Sequence, residues 1–157
     1  STTIALIVAA GQGTRVGGDV PKQYRMLGSK PLLRHAFDSL ACHPAIDSVM
    51  LVVAGDEERR AREALGGREP LAIVAGGATR RQSVRNGLEA IATADRVLIH
   101  DAARPFVPAS VTDRLLQALE QAVGAVPVLP IADTIAQAGP VLGQVVEDVT
   151  GVPFHRY

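Results

Sequence analysis

Residues 4–10 (I-A-L-I-V-A-A) form an unbroken apolar run without alternation, the pattern of a strand buried on both faces of a parallel sheet. A second run at 46–54 (I-D-S-V-M-L-V-V-A) reads the same way, with shorter strands expected at 71–75 and 96–100. Between these runs the period changes. Leu32, Leu33, Ala36, Phe37 and Leu40 recur at helical spacing after a start at Ser29 and Pro31, and Pro44 bars continuation. Residues 56–66 mix charges of both signs with few apolar positions, which reads as a solvated helix carrying i,i+4 pairs. Another helix begins near Thr79, with Val84, Leu88 and Ile91 expected toward the core and Arg80, Ser83 and Gly87 on an adjacent stripe. Ser110 and Asp113 form a capping-box-like start, followed by a buried stripe of Val111, Leu115, Leu119 and Ala122. Residues 124–130 (G-A-V-P-V-L-P) are expected as a fifth strand, at an edge or with an irregular end because of the prolines. Strand alternating with helix at this spacing predicts an α/β fold, its sheet built from right-handed crossovers.

Composition narrows the function classes. The 157 residues have the size of one domain, and 47% hydrophobic residues suffice for a core. Sixteen basic residues balance sixteen acidic ones, so no global field points to a nucleic acid polymer or an anionic membrane, and any anion site must come from local placement. Aromatic residues are scarce and Trp is absent, which argues against a stacking platform for single strands. Cys42 stands alone, so no internal disulfide forms, and it is expected to pack within a helix. No apolar run reaches the roughly 18 residues of a membrane span and no signal peptide precedes the first strand, so a soluble cytoplasmic protein is expected.

The candidate chemistry begins where the first strand ends. Gly11, Gly13, Gly17 and Gly18 open a loop that holds Arg15 and leads to Lys22. Backbone N–H groups approach phosphate oxygens where Cβ atoms are missing, and Arg and Lys offset the charge, so the loop reads as a polyphosphate site. Two familiar glycine motifs fail. Val16 stands where the dinucleotide fingerprint needs its third glycine, and Asp38 falls inside a predicted helix rather than at a strand end. No glycine is followed by Lys and then Ser or Thr, which excludes the P-loop. What remains, A-A-G-x-G-T-R followed by P-K-Q-Y, resembles the signature of the sugar-nucleotidyltransferase superfamily. The P-K-Q-Y form is similar to the 2-C-methyl-D-erythritol 4-phosphate cytidylyltransferase family of non-mevalonate isoprenoid synthesis.

Two later segments point to the same sheet edge. Gly76 and Gly77 follow the third strand and let a flat base lie against backbone, with the Ser83 hydroxyl one turn into the helix beneath its polar edge. The string G-G-x-x-R-x-x-S-V resembles the family's base-recognition segment. The fourth strand delivers H-D-A-A-R-P, again close to the family's form. Asp101 sits at that strand's carboxyl end, where open α/β sheets take ligands, and is expected to hold Mg²⁺ or to orient ribose hydroxyls. Arg104 is spaced for a second anionic group, and His100 reads as structural.

The resemblance implies a three-layer α/β/α fold with a mostly parallel, Rossmann-like central sheet and a protruding β-arm near the C-terminal end. It implies a nucleotide-binding catalytic domain over 1–132, with the start of a dimerisation arm and an incomplete or irregular segment over 133–157. The reaction implied is transfer of CMP from CTP to 2-C-methyl-D-erythritol 4-phosphate with release of pyrophosphate, in a homodimer that uses Mg²⁺. Arg15 and Lys22 would be catalytic. Ala9, Ala10, Gly11, Gly13, Gly76, Gly77, Ser83, Asp101 and Ala102 would bind the nucleotide, and Arg104 and Thr134 the sugar phosphate. Alternatives remain open: another alditol phosphate such as ribitol 5-phosphate as acceptor, or a nucleotide-binding module without turnover. The motifs run from residue 2 to about 138, and the ending V-T-G-V-P-F-H-R-Y matches none of the family's later elements. The sequence is therefore expected to be truncated or to omit residues, and some relatives carry a cyclodiphosphate synthase domain downstream.

Overall fold

The computed structural model describes residues 1–11 and 20–129, together with the backbone of two short strands, 146–147 and 153–154. The described residues divide into two units, Ser1–Ala125 and Val126–Tyr157. The larger unit is a four-stranded parallel sheet in the order β5-β4-β1-β6, with β1 at Thr3–Ala9, β4 at Ser48–Val53, β5 at Ile73–Ala75 and β6 at Arg96–Asp101. A two-stranded ribbon, β2 (Met26–Leu27) with β3 (Lys30–Pro31), precedes the first helix. The smaller unit holds an antiparallel pair, β7 (Val146–Glu147) and β8 (Pro153–Phe154). The pair does not establish the expected arm, and the rest of residues 130–157 lies outside the described residues.

The continuous apolar runs fold as their lack of alternation requires. On one face Ala5, Ile7 and Ala9 of β1 and Val49, Leu51 and Val53 of β4 pack beneath α1 (Leu32–Ala41) and α2 (Glu58–Leu65), which bury Leu33, Ala36, Phe37, Leu40, Ala61 and Leu65. On the other face Ile4, Leu6, Met50 and Val52 pack with Val74, Ile91 and Val97 on the side of α3 (Arg80–Glu89). Helices on both faces of a parallel sheet make the chain an α/β protein.

Where α3 meets the sheet, the buried stripe is Ser83 and Gly87 rather than Val84 and Leu88, while Ile91, just past the helix, packs against the core as expected. Leu88 is 40% exposed. A Cβ on Gly87 would come within 2.7 Å of Leu6 and Val52 side-chain carbons, so the helix approaches the strands more closely than any side chain permits. Smallness, rather than hydrophobicity, selects the inward face here. In α4 (Ala109–Ala118) the most buried positions are Thr112 and Leu116, flanked by Val111, Leu115 and Leu119, while Ala122 lies past the helix and is exposed. The helix is capped at Pro108 without a side-chain bond, so the Ser110–Asp113 box does not form. Asp113 instead stands 3.3 Å from Nε2 of the buried His43, whose Nδ1 accepts from the Ala45 N–H, tying α4 to the end of α1.

Two other expectations fail for simple reasons. Residues 124–129 form no ladder. Pro127 withholds an N–H, no strand among the described residues pairs with this stretch, and Val126, Val128 and Leu129 are exposed. Cys42 is exposed as well, because it lies one residue past α1, where its N–H closes the last turn on the Asp38 carbonyl.

One charged cluster fastens α1 to α2. Asp38 accepts from Arg34 Nε at 2.9 Å and from Lys30 Nζ at 3.1 Å, with Arg68 Nε at 3.2 Å. Arg34 also donates to the Leu65 carbonyl at the end of α2. Burial pushes the Asp38 carboxyl up, but the Arg34 and Lys30 contacts together hold it below its usual range. A depressed carboxylate stabilises the fold above its unfolded value of about 3.9, and that contribution is lost as pH falls through the folded value. Asp38→Asn is therefore expected to lower unfolding free energy by about 1–3 kcal/mol at neutral pH. In urea titrations the gap from wild type should close below about pH 4; a gap constant with pH would show that the charge is immaterial.

Candidate active site

The parallel strands all end on one edge of the sheet, and the chain uses that edge repeatedly. From β1 the chain goes to β4 and then β5 by way of α1 and α2 on one face. It returns by way of α3, across the other face, to β6 on the far side of β1. Strand order thus reverses between β1 and β6, the place where open α/β sheets form a ligand crevice.

Register brings the candidate residues level with one another. Ala9 pairs with Val53, Val53 with Ala75, and Val8 with Asp101. The Gly76 N–H donates to the Val53 carbonyl at 2.7 Å, and the Ala102 N–H donates to the Val8 carbonyl at 3.1 Å. A Cβ on Gly76 would lie 2.5 Å from Ala10 Cβ, 2.8 Å from Ser83 Oγ and 3.2 Å from the Val53 carbonyl oxygen. Gly76 is therefore required by close approach, and it brings the ends of β1 and β5 and the first turn of α3 together. Thr79 caps α3 in a reciprocal box with Gln82. Ser83 is 2% exposed. Its hydroxyl accepts from the Gly77 N–H at 3.1 Å and donates to the Thr79 carbonyl at 3.0 Å, so it holds the glycine turn in shape.

Asp101 has arginine partners. Arg80 Nη2 lies 2.6 Å from Oδ1, and Arg104 Nε lies 3.5 Å from Oδ2. The Arg104 N–H closes a turn on the Asp101 carbonyl, and His100 Nε2 meets the Arg104 carbonyl at 2.8 Å, a structural role for that imidazole. Arg80 was not among the sequence candidates, although it occupies the R of G-G-x-x-R; periodicity put it on the helix and nothing in one dimension aimed it at Asp101. Among the described residues no three His, Cys, Asp or Glu side chains group as a metal cage.

Lys22 opens a short 3-10 turn, Lys22–Tyr24, closed by the Tyr24 N–H on the Pro21 carbonyl. Gln23 of this turn is buried, and its Nε2 donates to the Ala9 carbonyl at 2.7 Å and the Gly11 carbonyl at 3.1 Å. This fastens the Lys22 turn to the end of β1. Tyr24 is buried too, with the Arg60 guanidinium 4.7 Å above its ring and Glu57 pairing with Arg60 at 3.3 Å. Burial, helped by the Glu57 carboxylate, raises the Tyr24 phenol well above its usual range. Ala9, Ala10, Gly11, Gly76, Gly77, Ser83, Asp101, Ala102 and Arg104 thus gather along one edge, with the Lys22 turn attached to it. Arg15, Gly13 and Thr134 lie outside the described residues.

This is the architecture of open α/β proteins that take ligands at the carboxyl ends of their strands. The family model of 2-C-methyl-D-erythritol 4-phosphate cytidylyltransferase matches residues 3–149, and this chain belongs to that family. It is 58% identical over 142 residues to a bifunctional enzyme IspD/IspF of Rhizorhabdus wittichii, covering 90% of this chain and 37% of that protein. To a 2-C-methyl-D-erythritol 4-phosphate cytidylyltransferase of Cereibacter sphaeroides it is 44% identical over 156 residues, covering 96% of this chain and 68% of the other. The crystal structure of a 4-diphosphocytidyl-2C-methyl-D-erythritol synthase superposes with a TM-score of 0.74 at 30% identity, over 99% of this chain and 72% of that one. The chain spans roughly a third of the bifunctional relative and two thirds of the other. Similarity to the family model continues past residue 138, as far as residue 149.

Proposed function

We propose that this domain transfers CMP from CTP to 2-C-methyl-D-erythritol 4-phosphate and releases pyrophosphate. What supports the reading, beside family membership, is the grouping on one edge of the glycine turn at 76–77, the Ala9–Gly11 strand end and Asp101, with the Lys22 turn fastened to the same strand end. The base would lie against Gly76 and Gly77, whose turn Ser83 holds, and the phosphates against the backbone of Ala9, Ala10, Gly11 and Gly13. Asp101 and Ala102 would meet the ribose side. Arg104 and Thr134 would take the acceptor phosphate.

An oxygen of the acceptor's phosphate monoester attacks the α-phosphorus. A new P–O bond forms, the bond to the bridging oxygen breaks, and its electron pair leaves with pyrophosphate. The monoester is largely dianionic at neutral pH, its second pKa being about 6, so no side chain need remove a proton. The task is to bring anions together and hold them in line, which rests on positioning and charge. Lys22 would stabilise the charge building at the α-phosphate, and Arg15 that on the departing β- and γ-phosphates. Asp101 fits Mg²⁺ as one carboxylate of a site completed by substrate phosphates, provided that the Arg80 guanidinium moves aside. Mg²⁺ bound there would neutralise α- and β-phosphate oxygens. The reading carries with it a homodimer joined by an arm from 133 onward and a cytoplasmic location; among the described residues no helix is long and apolar enough to cross a membrane.

The test is pyrophosphate release by the full-length protein with CTP, Mg²⁺ and 2-C-methyl-D-erythritol 4-phosphate. Release that requires this acceptor is the expected result. Release with ribitol 5-phosphate alone would reassign the acceptor, and CTP binding by calorimetry without release would reduce the domain to a nucleotide-binding module.

A further inference from the structure

We propose that Gln23 is a positioning residue that bends the end of β1 and thereby sets the distance between Lys22 and the phosphate-facing backbone; this rests on the transfer reaction proposed above. Its amide donates to two carbonyls, those of Ala9 and Gly11, at 2.7 and 3.1 Å. In a straight strand the carbonyls of residues i and i+2 point the same way about 6.6 Å apart. One nitrogen within those two distances cannot span that gap, so the chain is curled about Ala10 where the loop departs. Every described peptide is trans, and a trans peptide sets its N–H opposite its C=O. Holding the Ala9 carbonyl toward Gln23 therefore turns the Ala10 N–H to the opposite side.

The residue that performs this is the immediate neighbour of Lys22, in a turn with little freedom of its own. The Tyr24 ring lies under Arg60 and the Arg25 N–H closes on the Lys22 carbonyl. Within this turn Gln23 and Tyr24 are buried while Lys22 is half-buried. Two anchored residues thus hold the Lys22 backbone at a set distance from the curled strand end. A displacement of about 1 Å between reacting groups lowers turnover by about 10²-fold, so a spacer of this kind acts on the transition state.

The test uses full-length protein with Gln23→Met, which keeps the length and removes the donor. Expected is a fall in kcat of about 20- to 100-fold, with KM for CTP and calorimetric CTP affinity within about threefold of wild type. Gln23→Glu is the second variant. Burial against two carbonyls favours its protonated form, which restores one donor, so its deficit relative to wild type should shrink from about pH 8 to about pH 6. A kcat per folded molecule within about threefold of wild type in both variants, with only thermal stability lowered, would overturn the proposal in favour of a purely structural amide. Wild-type turnover judges the reaction separately. Should wild type transfer nothing, the Ala10 and Gly11 amide resonances titrated with inorganic pyrophosphate decide: shifts lost in Gln23→Met support the positioning role, and unchanged shifts refute it.

Discussion

Lys22→Ala is expected to lower kcat for CMP transfer by about 10²- to 10³-fold while KM for CTP changes by less than about threefold. The reason is where charge grows. In the proposed reaction ground-state CTP would already have backbone amides and Mg²⁺ around its phosphates, whereas the transition state would add charge at the α-phosphate for the Lys22 ammonium to meet. Lys22 is half-buried and opens a turn whose other two residues are anchored, so its backbone is held in place beside the end of β1. Among the described residues it makes no ion pair, so its loss should leave the thermal midpoint close to wild type. Steady-state pyrophosphate release at saturating acceptor measures both parameters. A rise in KM for CTP with kcat unchanged would assign Lys22 to ground-state binding instead.

Gly76→Ala is expected to destabilise the fold by about 2–3 kcal/mol and to weaken CTP binding at least tenfold. The new methyl would stand 2.5 Å from Ala10 Cβ and 3.2 Å from the Val53 carbonyl oxygen, atoms that move only with the backbone. Relief requires the β5 end to part from the β1 end, and that parting also pulls on the Ser83–Gly77 bond which shapes the turn. For a chain of this size such a loss lowers the midpoint by about 4–12 °C. Calorimetry for unfolding and titration with CTP make the two measurements. A variant as stable as wild type with unchanged affinity would mean that the strand ends part freely and that Gly76 lies off the nucleotide's path.

Much of this organisation is written along the chain. β1 from Ile4 and β4 from Val49 are apolar at every position because both faces are covered, and a buried strand leaves no polar alternation to misread. α1 keeps Leu33, Ala36, Phe37 and Leu40 inward at the expected period. The glycines at 76–77 and the carboxylate at 101 stand at strand ends, which turn chemistry and strand length together reveal. The charge-mixed helix α2 is solvated on its outer face, with pairs such as Arg62–Glu58 at 3.0 Å, while Ala61 and Leu65 face the core.

What the chain conceals depends on distance between elements. Hydrophobic periodicity assigns α3 the wrong inner face, because the face that touches the sheet must be small: Ser83 and Gly87 go in, and Leu88 stays out. The Ser110–Asp113 cap looks local, yet Asp113 turns to a buried His43 seventy residues earlier in the chain, since a desolvated imidazole needs a partner more than an exposed helix end does. The run 124–129 has strand-like composition, but a strand exists only where a neighbour accepts its ladder.

The sequence by itself determined the α/β alternation, the strands buried on both faces and the glycines and carboxylate that stand at the strand ends, because each depends on local period and on turn residues. Only the tertiary structure decided that strand order reverses between β1 and β6, that Arg80 reaches Asp101 and that Gln23 curls the end of β1. Those outcomes depend on which elements lie side by side, and side-chain reach across a few ångströms has no signature in residues that stand far apart in the chain.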